Sequence, residues 1–244
     1  MRAVDQANFP SLTYIGVEGV LVRFGDRVTD AINRAALKFH AHMNTKCVAG
    51  VLESAPSLTA VYLRLDLLSD LDAVVRSIQA EMAAQDWFSE DVRAARHWTI
   101  PCCFDGPQLS EAAHLAGLSE SAAVEELTQQ QVRVLTIGFA PGQPYLGNLP
   151  QNWNFPRLSE ITPLVPARAL VAAVGQLILF ANDTPTGWRH VGATEFHCFK
   201  VDRPEPFAFR VGDLVRFEQA GRAEIEALAN SSDGLGGARC EAVT

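Results

Sequence analysis

Long apolar runs are missing from this 244-residue chain, and none approaches the roughly 20 residues that a bilayer-spanning helix requires. No membrane partner is expected. The first ten residues hold Asp5, Gln6 and Asn8 where a secretory leader would carry its apolar segment, so a cytoplasmic location is expected. Basic clusters are missing too. No two Lys or Arg residues are adjacent, and 28 acidic against 20 basic residues give a formal charge of -8. That balance excludes nucleic acid, which needs a concentrated cationic surface.

Cysteine is sparse and unpatterned. The five residues Cys47, Cys102, Cys103, Cys198 and Cys240 make no C-x-x-C pair, so neither a zinc site nor a disulfide framework is expected. Histidines are scattered: His40 and His42 sit too close on one helix to share a metal, and His97, His114, His190 and His197 lie far apart. No metal is therefore expected. The chain also lacks a G-x-S-x-G elbow, a Walker-type phosphate loop and a dinucleotide-binding glycine spacing. No internal repeat is visible.

What the chain does have is apolar content, 48% of its residues, laid out with helical period first and strand period later. Thr13 to Phe24 reads as two short strands about Gly16 and Gly19, followed by a Gly25-Asp26 turn. A helix capped by Thr29 carries Ile32, Ala35, Ala36, Phe39 and Met43 on one face through Asn44. Val48 to Ser54 and Leu58 to Leu65 form a strand pair, and a second helix over Ser69 to Gln85 places Leu71, Val74, Val75, Ile78 and Met82 on a stripe. The order β-β-α-β-β-α, closed by a strand at His97 to Cys102, predicts a small ferredoxin-like α+β domain over residues 1–95. Leu109 to Gln131 is helical in two pieces, the second capped by Ser119.

After that the pattern changes to short strands: Val132 to Phe139, Ala169 to Val174, Leu177 to Ala181, Trp188 to Val191, Phe196 to Val201 and Leu214 to Phe217. Even spacing of this kind predicts a β-barrel or sandwich over residues 96–230, with the helices leading into it and a closing helix at Ala223 to Asn230. The remaining residues 231–244, rich in Gly and Ser, are expected to be a mobile, disordered tail.

The densest local signal is the run from Gly138 to Pro150, in which three glycines and three prolines follow directly on an apolar strand. Gly permits positive φ and Pro fixes φ, so such a loop is shaped in advance. Two readings stand for it: a rigid turn at a barrel rim, or a ligand-facing loop. Trp188 likewise reads either as core or as the floor of a pocket.

The residue order of this run resembles the Gly-Phe-x-Pro-Gly-Phe-Pro-Tyr-Leu-Gly-Gly-Leu loop of the family containing the 5-oxoprolinase B subunits, the KipI kinase inhibitor and allophanate hydrolase subunit 1, the carboxyltransferase subdomain C and D type. Gln143 and Asn148 replace the second Phe and the last Gly. The likeness extends to Gly25-Asp26, Gly50 to Glu53, Pro156-Arg157, Val165-Pro166, Gly175-Gln176, Pro185 to Trp188 and Gly212 to Phe217, nearly the whole chain. The resemblance implies a cyclophilin-like β-barrel after the first domain, and Gly138, Phe139, Pro141, Gly142, Pro144, Tyr145, Leu146, Gly147, Gln176 and Trp188 as substrate-binding positions.

It also implies a subunit that does not act alone. The partner would be a KipA-like chain, similar to the C subunit of 5-oxoprolinase, the substrate a small amide or lactam, and ATP a cofactor held largely by the partner. The alternative is a KipI-like regulator that binds a histidine kinase without turnover. The chain departs from the family in three further places, one of them a Tyr-Gly-Gly-Glu-x-Gly-Pro-Asp-Leu segment shortened to Cys103 to Leu109. Gly-Gly-Gln-Thr-Gly-Ile-Tyr-Pro becomes Val174 to Ala181, an apolar strand, and Gly-Arg-Thr-Pro becomes Gly192-Ala193-Thr194-Glu195, exchanging a cation for a carboxylate that would repel an anion.

Overall fold

Thr29 caps the first helix as its position predicts, its Oγ1 accepting from the Ile32 N–H at 3.2 Å. In this computed structural model, which describes residues 9–89, 96–229 and 231–242, the helix α1 spans Asp30–Lys46. It ends at Cys47, a left-handed residue whose N–H returns to the Met43 carbonyl. A second helix, α2, covers Leu71–Met82 and starts with its apolar stripe, two residues after the expected Ser69, because the Asp70 carboxylate caps it by accepting from the Ala73 N–H at 3.0 Å. Four antiparallel strands accompany them: β1 (Ser11–Ile15), β2 (Gly19–Arg23), β3 (Val51–Pro56) and β4 (Ala60–Leu65), in the order β1-β2-β4-β3.

These elements make up the first of two compact units, Met1–Val92 and Arg93–Thr244. Val20, Val22, Val61 and Leu63 line one face of the sheet and pack against Ile32, Phe39, Val75 and Ile78. Trp87 closes this core edge-on to Phe39 at 5.1 Å, its indole N–H donating to the Met82 carbonyl at 2.8 Å.

The strand expected to complete this sheet belongs instead to the second unit. There β5 (Arg96–Cys102) runs parallel to β13 (Leu214–Gln219), with Trp98, Ile100 and Cys102 buried in the second core. Helices α3 (Leu109–Leu115) and α4 (Glu120–Gln129) follow, the latter capped by Ser119. The strands are β6 (Val132–Ile137), β7 (Pro144–Gly147), β8 (Thr162–Val165), β9 (Ala169–Ala173), β10 (Gln176–Leu179), β11 (Thr184–Thr186) and β12 (Arg189–Ala193), then β13. A short helix α5 (Arg222–Leu228) and strand β14 (Arg239–Ala242) end the described chain.

Eight strands form one sheet ordered β12-β9-β10-β7-β6-β13-β5-β14, with β11-β8 as a separate pair. The predicted barrel is not a continuous closed ladder. Among the described residues its two flanks meet where Cys103 and Ala193 exchange both backbone hydrogen bonds at 2.8 Å, with Gly106 and Gln108 N–H groups donating to the Val191 and His190 carbonyls beside them. Two further expectations change. Phe196 to Val201 is not a strand, since Phe196 fills the core and the backbone pairs at one isolated bridge between Phe199 and Phe207. The expected mobile tail is held in place: Gly234 accepts from the His197 N–H at 2.8 Å, and β14 pairs antiparallel with β5. Backbone pairing fixes this segment, which composition cannot reveal.

Candidate functional site

The Gly138 to Pro150 run is built into the sheet. Its middle is β7, paired with β6 on one side and β10 on the other, so that Leu146 opposes Leu177 and Tyr145 opposes Ile178. A β-strand alternates faces, and the two faces of β7 do different things. Leu146, fully buried, joins Leu177, Leu179 and Trp153 in the main core. Tyr145 lies on the opposite face among Val171, Ile178, Phe180 and Trp188, its ring edge-on to Trp188 at 6.5 Å.

Glycine is required here by close approach. A Cβ on Gly147 would stand 2.7 Å from Leu135 Cδ1, and one on Gly142, whose φ is 75°, would stand 2.7 Å from the Cys198 carbonyl oxygen. Gln143, in place of the family's Phe, is buried, and its Oε1 accepts from the Ala181 N–H at 3.3 Å. The turn before β7 is tight: Gly138 N–H donates to the Gln143 carbonyl and Gln143 N–H to the Ala140 carbonyl. Phe139 stands at its tip with φ 73°, 77% exposed, beside exposed Pro141.

The remaining expected positions lie close by but inside. Gln176 opens β10 and is buried, its Cγ 3.5 Å from the place a Gly147 Cβ would occupy. Leu149 N–H donates to the Gly175 carbonyl at 2.8 Å, tying the run to the β9–β10 turn. Trp188 is 4% exposed and roofed by the Arg157 guanidinium, 5.2 Å from its ring centroid. The structure thus gathers the ten positions about β7. Pro144, Leu146, Gly147, Gln176 and Trp188 are buried, and Phe139 and Pro141 face outward.

Two of the departures from the family outside the loop have structural answers. The apolar Val174 to Ala181 stretch supplies β10, a central strand covered on both faces, with Leu177 and Leu179 in the main core and Ile178 and Phe180 on the other side. The Glu195 carboxylate faces Arg168, Oε2 to Nε at 3.1 Å, so the charge expected to repel an anion is neutralised within the chain.

Sequence reasoning missed two polar constellations. Buried Arg189 donates twice to Glu111 Oε1, at 3.0 and 2.9 Å, and once to the Pro156 carbonyl, binding α3 to β12. Around the β5–β12 bridge, Asp105 is paired with Arg222, while His190 keeps a buried Nε2 without a hydrogen-bond partner. Burial, partly offset by a hydrogen bond with the Gly192 backbone, holds the His190 imidazole below its ordinary pKa. Burial, reinforced by Asp105, raises the Cys103 thiol, and burial pushes Cys198 up to about 12. These thiols are protonated at neutral pH and are weak nucleophiles.

Among the described residues no group of three or more His, Cys, Asp or Glu side chains can hold a metal. A groove of about 320 Å³ lies elsewhere, between β13, α5 and the start of β14, lined by Glu218, Gln219, Glu224 and Arg239 among others. A Glu218–Arg239 ion pair at 2.9 Å links two of those lining residues, and none of the ten expected positions lines the groove.

Comparison with known proteins gives consistent relatives. Residues 10–209 match the family model described as carboxyltransferase domain, subdomain C and D. The 5-oxoprolinase B subunit of Bacillus subtilis (strain 168) is 26% identical over 234 residues, covering 90% of this chain and 96% of the relative. The solved structure of the protein TTHA0988 superposes with a TM-score of 0.72 at 29% identity over 83% of this chain. Here the chain spans 40% of the neighbour's length. The urea carboxylase of Kluyveromyces lactis shares the fold, with a TM-score of 0.75 at 14% identity, over 95% of this chain and 24% of the enzyme.

Proposed function

The chain belongs to the carboxyltransferase subdomain C and D family, and from that premise we propose that it is one subunit of an ATP-dependent amidolyase complex of the 5-oxoprolinase or allophanate hydrolase type. Its partner is a KipA-like chain, similar to the C subunit of 5-oxoprolinase, and its substrate a small cyclic amide or urea derivative, acted on in the cytoplasm. The observation that carries this reading is the match to a relative named as a subunit over 96% of that relative's length. ATP enters through the assembled complex. Within this reading the first unit is the ferredoxin-like domain of the family and the second its cyclophilin-like domain, whose own sheet closes on itself at the Cys103–Ala193 bridge.

The ten positions about β7 then divide their work. Leu146, Gly147 and Gln176 hold the strand in register, Tyr145 and Trp188 stiffen its outer face, and the Phe139 to Gly142 tip meets the shared site. A binding comparison separates this proposal from a kinase-inhibitor role. The purified chain is titrated against the KipA-like protein and, separately, against a sensor histidine kinase from the same genome. The enzyme reading expects a complex with the first and none with the second; the reverse outcome assigns the chain to regulation.

A further inference from the structure

Phe139 is held in a conformation that its side chain does not favour and pointed at solvent. Its φ of 73° is left-handed, a region that suits Gly or Asn and strains an aromatic residue, yet its ring is 77% exposed and contributes little to the core. The tip carrying it is rigid, closed by two backbone hydrogen bonds and anchored by buried Gln143 and by Gly142 against the Cys198 carbonyl. The chain that Gly142 touches carries more apolar surface. Phe199 and Phe207 face each other across their bridge at 5.0 Å, 36% and 50% exposed, and Val201 beside them is 73% exposed.

We propose that this aromatic knuckle, Phe139 with Phe199, Val201 and Phe207, is the surface on which the partner protein docks, an apolar pocket of the partner receiving the Phe139 ring. The proposal rests on the complex argued above and names the surface that complex uses. A strained, preordered aromatic projecting from a fixed turn loses little entropy on burial, the behaviour of an interface anchor. Exposed aromatics on two segments that approach each other at Gly142 and Phe199 mark a face that is covered in the working protein.

The occupant is a different polypeptide because of how relatives are built. This chain covers 96% of the Bacillus subtilis relative but 40% of the TTHA0988 chain. Where the fold is embedded, further polypeptide is present beside it, and relatives named as B subunits have other subunits to meet.

The test titrates the purified KipA-like protein into wild type, Phe139→Asn, Phe207→Ser and a control, Leu68→Asp, which alters the 97% exposed Leu68 of the first unit. At least tenfold weaker binding is expected for Phe139→Asn and Phe207→Ser, with the control unchanged. Thermal unfolding guards against a folding artefact, since Asn accepts positive φ and Phe139→Asn should melt no lower than wild type. Unchanged affinity in both knuckle variants overturns the docking surface while leaving the complex standing. Absence of wild-type binding overturns the complex as well. A wild-type homodimer that Phe139→Asn disrupts overturns the occupant in favour of a second copy.

Discussion

Asp213 gathers more of the second unit than any position of the Gly138 to Pro150 motif. Its carboxylate accepts from Arg96 Nε at 3.0 Å and Nη2 at 2.5 Å, from the Trp98 indole at 3.1 Å and from the Arg210 N–H at 2.8 Å. Burial opposes the Arg96 charge, but the Asp213 hydrogen bond and charge outweigh it, and the Arg96 pKa is raised. Asp213→Ala, which strands a partly buried guanidinium, should destabilise the protein by about 3 kcal/mol in chemical denaturation. A loss below about 0.5 kcal/mol would contradict this placement. In the sequence Asp213 is legible as part of the Gly212 to Phe217 family match but not as a hub, because Arg96 and Trp98 lie 117 and 115 positions away.

Histidine titration belongs at the same scale. Burial lowers the pKa values of His40, His190 and His197 below the ordinary 6.5. The folded state therefore takes up these protons later than the unfolded state as pH falls. Stability from this source is undiminished above the unfolded value and declines as pH drops through it toward the folded values. The urea midpoint should be lower at about pH 5.5 than at about pH 7.5, and the difference smaller in His190→Gln. Equal slopes in wild type and variant would show that His190 is not a source of the effect.

At the scale of elements, legibility followed the range of the forces. The helices α1, α2 and α4 announce themselves through a local period and a local cap, and Thr29 and Ser119 accept the hydrogen bonds their positions predict. Strand β7 does not announce itself, because Gly and Pro on both flanks mimic a loop and its support comes from β6 and β10. The same distance dependence explains β5, whose parallel partner β13 is remote in sequence, and β14 in a segment of low apolar content.

The β9–β10 turn offers a direct test of this element. Val174 adopts φ 47° and Gly175 φ 72°, and the family's Gly at the first position is here a β-branched residue in a left-handed conformation. Val174→Gly should stabilise the chain by about 1 kcal/mol, relief of strain exceeding the entropic cost of Gly. Gly147→Ala should do the opposite, losing about 1–3 kcal/mol as the new methyl meets Leu135. Thermal melts of the two variants check both signs.

For the molecule as a whole, the family was legible from one loop because its residue order is set by close backbone approach at Gly142 and Gly147 and by burial of Leu146. Its use was less legible. The middle of the loop, Pro144–Gly147, is strand within the sheet, and its exposed positions are Phe139 and Pro141 at the tip and Asn148 beyond the strand. Charge at position 195 also reads differently in three dimensions, since Arg168 answers it. A scaffold is thus what the fold supports, and the proposed docking surface agrees with the subunit role proposed for it.

The decisive measurement is 5-oxoproline-dependent ATP hydrolysis in a reconstitution that combines this chain with the proposed KipA-like partner and any further subunit encoded beside them, omitting each in turn. Turnover is expected in the full mixture and should be lost when this chain is left out. Turnover that is unchanged without this chain would overturn its assignment to the complex.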